Sequence, residues 1–266
     1  MGADIKTLRT RIKSVGSTQQ LTKAMGLVAS SKIRRATEAM MKSRQYARAV
    51  EQAISLLTGV PECAKSPYMR QTAQAPRTRL IVIAGDRGLA GGYNANIFRL
   101  LREYPEAQVL PIGKRACERY GQPVISSEDY RYGEARELAV AQCAAFAAGE
   151  FDRLGIVCTR YVSMMTQEAH VQWVLPLAVE PSGNNAGAVF EPDERTILDA
   201  AVPEYVAGML IAAVRESFTA EVAARRMAMD SADKNAQQML DELQLTYNRA
   251  RQGAITQEIT EIVAGS

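Results

Sequence analysis

Residues 4 to about 58 contain no proline, and apolar side chains recur at Ile5, Leu8, Ile12 and Val15, a 3-4-3 spacing. After Gly16-Ser17-Thr18 the pattern resumes with Leu21, Met25 and Val28, then Met40, Ala47, Val50, Ile54 and Leu57. That periodicity predicts one long helix with a single apolar stripe, with Gly16 as the candidate bend. The last proline-free region, Glu204 to Ala264, carries a second stripe: Val206, Leu210, Ala213, Ser217, Ala220, Ala224, Met227 and Ser231, extended less regularly by Met239, Leu243, Ala250, Ile255, Ile259 and Ile262. About 60 helical residues would reach ~90 Å, against a radius of gyration near ~18 Å for a globule of this length. A helix of that length needs a partner, and the only comparable segment lies at the other end of the chain. The expectation is a long antiparallel coiled coil of the N- and C-terminal helices, residues 1–60 and 204–266.

Between them, over residues 77 to about 178, the period changes. Arg79-Leu80-Ile81-Val82-Ile83-Ala84 is a buried-strand run, and a glycine-rich turn and a helix over Asn96–Tyr104 follow it. Next come Val109–Ile112, a short helix Lys114–Tyr120, the pair Val124-Ile125, an alanine-rich helix Glu134–Glu150 and Leu154–Val157. Strands alternating with helices predict a small, Rossmann-like, mostly parallel α/β domain within residues 77–200. Residues 60–76 and 181–196 read as connections.

Composition removes several function classes. The chain has 266 residues, 47% hydrophobic and 23% charged, which is too apolar for a disordered protein. No stretch approaches the ~20 uncharged apolar residues of a membrane span, and Met1–Lys6 lacks a signal peptide's apolar run, which points to a cytoplasmic chain starting here. Cys63, Cys117, Cys143 and Cys158 are far apart with no C-x-x-C pair, so a zinc site of standard spacing is excluded and reduced, buried thiols are expected. The single histidine, His170, sits in the strand-like run His170–Leu175 without a nucleophile signature. No metal, no cofactor and no acid–base machinery are expected.

Three signals remain. Gly85-Asp86-Arg87-Gly88-Leu89-Ala90-Gly91-Gly92 follows a strand and precedes a helix, a context that can cradle a phosphate. Its G-x-x-G-x-x-G-G spacing is neither the dinucleotide fingerprint nor a phosphate-loop motif, and a tight turn needing glycine dihedrals is the favoured reading. The first helix carries eleven cations against Asp4, Glu38 and Glu51, a net +8 in a chain of only +3. Nucleic-acid phosphates, water and an acidic protein partner are all open to such a surface. The end of the last helix interleaves Arg249, Arg251, Gln252, Thr256, Gln257, Glu258 and Glu261 with Ile255, Ile259, Ile262 and Val263. Beyond the reach of the first helix, those apolar side chains either meet another protein or fray.

The segments Ser17–Met25 with Val28–Lys32, Asp86–Asn94, and Glu242–Gln252 with Ile255–Ile262 closely resemble the γ subunit of F-type ATP synthases along nearly the whole chain. The resemblance implies a non-catalytic rotor shaft inside a hexamer of α and β subunits, with the α/β domain on the membrane c ring and holding the ε subunit. It implies no nucleic acid and contact with the membrane only through the ring, at the cytoplasmic face of a bacterial membrane. By the same resemblance Arg225, Arg251, Gln252, Thr256, Glu258 and Glu261 match positions that touch β loops or support coupling, and Met25 and Lys32 match a basic face near an acidic β lever. Ala90 stands where the family often has cysteine, and the tail ends at Gly265-Ser266 rather than continuing in alanines. The competing reading is a nucleic-acid-binding coiled coil.

Overall fold

The computed structural model describes residues 2–70, 76–178 and 190–265. Five helices and four strands follow in the order α1 (Gly2–Thr58), β1 (Thr78–Ile83), α2 (Tyr93–Leu100), β2 (Gln108–Ile112), α3 (Lys114–Tyr120), α4 (Tyr132–Ala147), β3 (Arg153–Tyr161), β4 (Gln167–Leu175) and α5 (Glu194–Ala264). Short 3-10 helices occupy Pro61–Lys65, Pro67–Met69 and Leu101–Glu103. Contacts divide the chain into two compact units, one of residues 1–31 with 225–266 and one of residues 32–224. The α/β fold class is as expected.

In the larger unit the sheet runs β2-β1-β3-β4. β1 is parallel to both β2 and β3, and β4 is antiparallel to β3. Successive side chains of a strand point to opposite faces, so β1 feeds two cores. Leu80 and Val82 pack with Val157 against Tyr93 and Ile97 of α2 and Ala116 of α3. Ile81 and Ile83 pack with Leu154 and Ile156 against Ala139, Cys143 and Phe146 of α4, Ile54 and Leu57 of α1, and Leu198, Val206 and Leu210 of α5. Both faces are covered, which is why the strands read as continuous apolar runs.

In the smaller unit α1 and α5 pair antiparallel. Gly26 faces Met229, and seven residues earlier on α1 the Gln19 side chain donates to Gln237, later on α5, at 2.9 Å. Along α1 a seam of buried and half-buried positions runs through Ile5, Leu8, Ile12, Val15, Gln19, Thr22, Gly26, Ala29, Ile33, Ala36, Met40, Ser43, Ala47, Val50, Ile54 and Leu57. Their steps alternate between three and four without interruption, the repeat of a coiled-coil seam. Between residues 229 and 254 α5 keeps the same alternation through Met229, Asp233, Ala236, Leu240, Leu243, Tyr247, Ala250 and Ala254.

Several expectations are corrected. Leu21 and Val28 are 60% and 53% exposed; the true seam there passes through Gln19, Thr22 and Gly26, whose polar or absent side chains hide the repeat from a hydrophobicity pattern. Ser231 and Met239 also face outward, and Asp233 and Ala236 take the seam positions. The last helix starts at Glu194, not near residue 204, and contains Pro203. A proline in a helix interior costs about 3 kcal/mol, but Leu198, Val202, Tyr205 and Val206 around it are all buried, and Asp193 accepts from the Thr196 N–H at 2.9 Å, capping the first turn. Val124 and Ile125 form no strand; both are exposed, and Ile125 is held by two bonds, its carbonyl accepting from the Gly113 N–H and its own N–H donating to Cys117 Sγ. The helix predicted to open at Asn96 opens at Tyr93, α1 passes through Gly16 unbroken, and residues 181–189 of the second connection lie outside the described residues. Part of α5 is apolar and long enough to cross a membrane by composition, but 67% of that stretch is buried within the protein, as expected of a core helix.

Gly113, just after β2, has φ +92°, and a Cβ there would lie 1.9 Å from the Ala84 carbonyl oxygen. Gly113→Ala is expected to lower stability by about 3 kcal/mol, from backbone strain and overpacking together, measured by urea denaturation.

Candidate functional site

The glycine-rich turn is held by its own side chains. Asp86 Oδ1 accepts from the N–H groups of Lys114 (2.9 Å) and Ser127 (3.0 Å), and Oδ2 accepts from the Glu128 N–H (3.0 Å) and the Ser126 hydroxyl (2.8 Å). Burial pushes this carboxyl up, but the bonds from Glu128, Lys114, Ser127 and Ser126 outweigh it and hold Asp86 below the ordinary carboxylate range. The Gly85 N–H is taken by Asn94 Oδ1 at 2.9 Å and its carbonyl by the Arg115 N–H at 3.1 Å. A Cβ on Gly85 would meet the carboxylate of the buried Glu221 at 2.7 Å, so this position is glycine because α5 packs on it. Leu89 and Gly91 supply the left-handed residues of the turn. The Gly85 N–H is thus taken, and the Asp86 carboxylate beside the turn opposes an anion. The tight-turn reading holds.

The residues carried over from the resemblance do not converge on one pocket. In the smaller unit Met25 and Arg225 are half-buried near one level of the helix pair, and Arg251, Gln252, Thr256, Glu258 and Glu261 are exposed on α5. At 1.5 Å per residue the two groups are about 40 Å apart. Thr256 donates to the Gln252 carbonyl at 2.9 Å and Gln257 to Glu261 Oε1 at 2.8 Å; their outward surface is otherwise open. By the antiparallel pairing, α5 runs roughly ten residues, about 15 Å, past the level where α1 begins. There Ile255, Ile259, Ile262 and Val263 are 43–73% exposed.

Lys32 lies in the larger unit, ion-paired to Glu128, whose other oxygen is 3.6 Å from the Arg87 guanidinium. Arg215 reaches the same loop, donating to the Tyr130 carbonyl at 2.8 Å and the Glu128 carbonyl at 3.3 Å. Glu128 carried no signal in the sequence, because what matters is its approach to a helix 96 residues away. Arg44 of α1 is likewise paired, bidentate to Glu216 of α5, which also accepts from the Tyr161 N–H at 3.0 Å. The +8 surface is thus partly neutralised from within the fold.

All four cysteines are buried free thiols. Burial pushes Cys143 and Cys158 up to about 12 and raises Cys63, so these three stay protonated and unreactive at neutral pH. His170 Nε2 is 3.6 Å from Cys158 Sγ, and burial, with Arg160 nearby, lowers its pKa. Among the described residues no cluster of His, Cys, Asp and Glu could hold a metal ion.

Fold and surface together define a class: an α/β unit and a coiled-coil unit, with exposed charge and apolar residues spread along helix surfaces. Residues 4–266 match the family described as ATP synthase. The ATP synthase gamma chain of Ruminococcus albus is 39% identical, covering 99% of this chain and 98% of that one, and the gamma chain of an Exiguobacterium species is 38% identical over the same shares. Among solved structures, the chain resembles one in the rotor of the Euglena gracilis mitochondrial ATP synthase, with TM-score 0.67 and 19% identity, covering 96% of this chain and all of that one. A chain in the central stalk and c ring of the Tetrahymena thermophila enzyme gives TM-score 0.62 at 19% identity, over 80% and 99%. The chain belongs to the ATP synthase gamma-chain family. The nucleic-acid reading loses its support.

Asp86→Asn would turn an amide N–H2 toward backbone donors and is expected to cost about 2–3 kcal/mol at neutral pH. Because folding lowers the Asp86 pKa, the wild-type advantage is full above the unfolded-state value near ~4 and is lost as pH falls through the folded-state value. Denaturation of both proteins between pH 7 and pH 2 should show their stabilities converging in acid.

Proposed function

We propose that the chain is the non-catalytic rotor shaft of a bacterial ATP synthase, transmitting torque between an ion-translocating c ring and a hexamer of α and β subunits. It sits at the cytoplasmic face of the membrane, reaches the membrane only through the ring, and holds an ε subunit on its α/β unit. The observation that carries this reading is the end of α5, where Ile255, Ile259, Ile262 and Val263 are exposed beyond the start of α1. Such residues on a paired helix call for a surrounding apolar sleeve. Arg251, Gln252, Thr256, Glu258 and Glu261, interleaved with them, are the polar contacts of that sleeve, and Met25, Lys32 and Arg225 are contacts farther down. A shaft couples by being asymmetric: cations facing acidic loops favour some angular positions over others, so rotation forces the catalytic subunits through unequal states. The bonds inside the glycine-rich turn support a role without nucleotide chemistry of its own.

Mixing the chain with α and β subunits should give a complex that hydrolyses ATP; absence of association would refute the reading. Arg251→Ala with Gln252→Ala is expected to weaken coupling or assembly by about 1–2 kcal/mol. Proton pumping per ATP hydrolysed in membrane vesicles, alongside the yield of complex, measures it, and unchanged values would remove those two residues from the contact.

A further inference from the structure

In the larger unit a hollow lies where α1, α5 and the strands β3 and β4 meet. Arg44, Ala47, Arg48 and Glu51 share one face of α1, and Met209, Ala212, Ala213 and Glu216 repeat the same spacing on α5. With Arg160 of β3 and Gln172 of β4 they line a volume of about 420 Å³. We propose that this hollow binds a phosphate group, as the free anion or as the head of a small organic phosphate, between Arg44, Arg48 and Arg160.

The residues that make the hollow are small. Ala47, Ala212 and Ala213, with Met209, form its floor, each at most 8% exposed. Alanine at these positions leaves space that a longer side chain would fill, and the space is of the size that small-molecule sites have. One guanidinium is fixed in place. Arg44 Nε and Nη2 hold the Glu216 carboxylate at 3.2 and 2.6 Å, and Nη2 also donates to the Tyr161 carbonyl at 3.1 Å. Its Nη1 has no bond among the described residues. Arg48 and Arg160 are exposed, and among the described residues neither guanidinium makes a hydrogen bond or an ion pair. Glu168, opposite Arg160 in the strand register, does not hold it.

The balance of charge selects the ligand. Three guanidiniums share the hollow with two carboxylates, and Glu216 is spent on Arg44 and on the Tyr161 N–H at 3.0 Å. Two free cations remain, with a spare donor on the fixed arginine, the Gln172 amide and Glu51. A tetrahedral oxyanion takes donors from several directions at once, whereas a carboxylate offers two oxygens in one plane. Glu51 is exposed and opposes an anion, so it limits affinity.

The chain's single histidine stands beside the site. His170 lies on the same face of β4 as Glu168 and Gln172, opposite Cys158 of β3. Burial and then Arg160 hold its pKa below the ordinary histidine value, while Glu168 and Glu216 act the other way. A dianion on Arg160 offsets that repulsion and raises the His170 pKa.

The inference stands apart from the rotor reading and is tested on the purified full chain in phosphate-free buffer. Calorimetry with inorganic phosphate and with phenyl phosphate is run on wild type, Arg48→Gln, Arg160→Gln, Glu51→Gln and, as a control outside the hollow, Arg34→Gln. NMR follows the wild-type His170 imidazole through a pH titration with and without phosphate. All the substituted side chains are exposed, and equal melting temperatures verify that the variants are folded. One saturating site is expected, weakened about tenfold or more in Arg48→Gln and Arg160→Gln. Binding should tighten up to about fivefold in Glu51→Gln and stay unchanged in Arg34→Gln, with the His170 pKa rising on ligation. Tighter binding of phenyl phosphate than of phosphate supports an organic phosphate on the alanine floor; equal or weaker binding supports the free anion. Absence of saturable binding overturns the proposal, as does binding that leaves His170 unmoved. Equal weakening in Arg48→Gln and Arg34→Gln also overturns it, since that is how a diffuse basic surface behaves. Displacement of phosphate by an equal concentration of glutamate overturns the choice of ligand.

Discussion

The constraint on which most of this structure depends is the burial of one heptad stripe on α1. Every third or fourth residue from Ile5 to Leu57 turns inward, and in the coiled-coil unit α5 packs against that stripe. Such a seam is tolerant of residue type but strict about position. It accepts Gln19, Thr22 and Gly26 where one expects leucine, provided each still faces the partner. Gly26 leaves room for Arg226 and Met229 of α5, 3.0 and 3.5 Å from where a Cβ would stand, and the Gln19–Gln237 bond links the two helices at the surface. One Asp233 oxygen is shielded with no hydrogen-bond partner. Polar seam positions of this kind sacrifice stability and define register.

The α/β unit solves a different problem. Its parallel strands are buried on both faces, so the polar loops at their ends must find partners or lose stability. Asp86 is the principal answer: one carboxylate collects the α3 N-terminus and the loop after it, and so fixes where Glu128 can stand. The turn therefore resembles an anion-binding loop in sequence and is the reverse in chemistry, since the anion is built in. The internal pairs Arg44–Glu216 and Lys32–Glu128 extend the same principle to α1, leaving a surface whose charge is adjustable rather than saturated.

For a subunit meant to turn against its partners, weak and repeated contacts serve better than a few strong ones. Exposed cations, half-neutralised by nearby carboxylates, contribute orientation more than affinity. The apolar end of α5 is the opposite kind of surface, exposed at Ile255, Ile259, Ile262 and Val263 and indifferent to angle. The division between these two kinds of surface follows from which helix has a partner at each level.

Much of this was legible in the linear order of residues. Proline-free stretches at both ends, the run Leu80–Ile83 and the change of period between them specify two long helices and an α/β unit, because helix and strand repeats are local properties of backbone geometry. The motifs near Asp86 and Glu242–Ile262 specify the family. The seam through Gln19–Gly26 and Asp233, the start of α5 ahead of Pro203, and the failure of Val124-Ile125 to form a strand were not legible. In each case the outcome is set by what packs alongside, not by the residues' own preferences. Glu128 between Lys32 and Arg87 is the clearest instance. Sequence by itself determined which elements exist and which family they belong to; only the tertiary structure decided which charges are free and which are spent, because an ion pair depends on distance in space and the chain records only distance along itself.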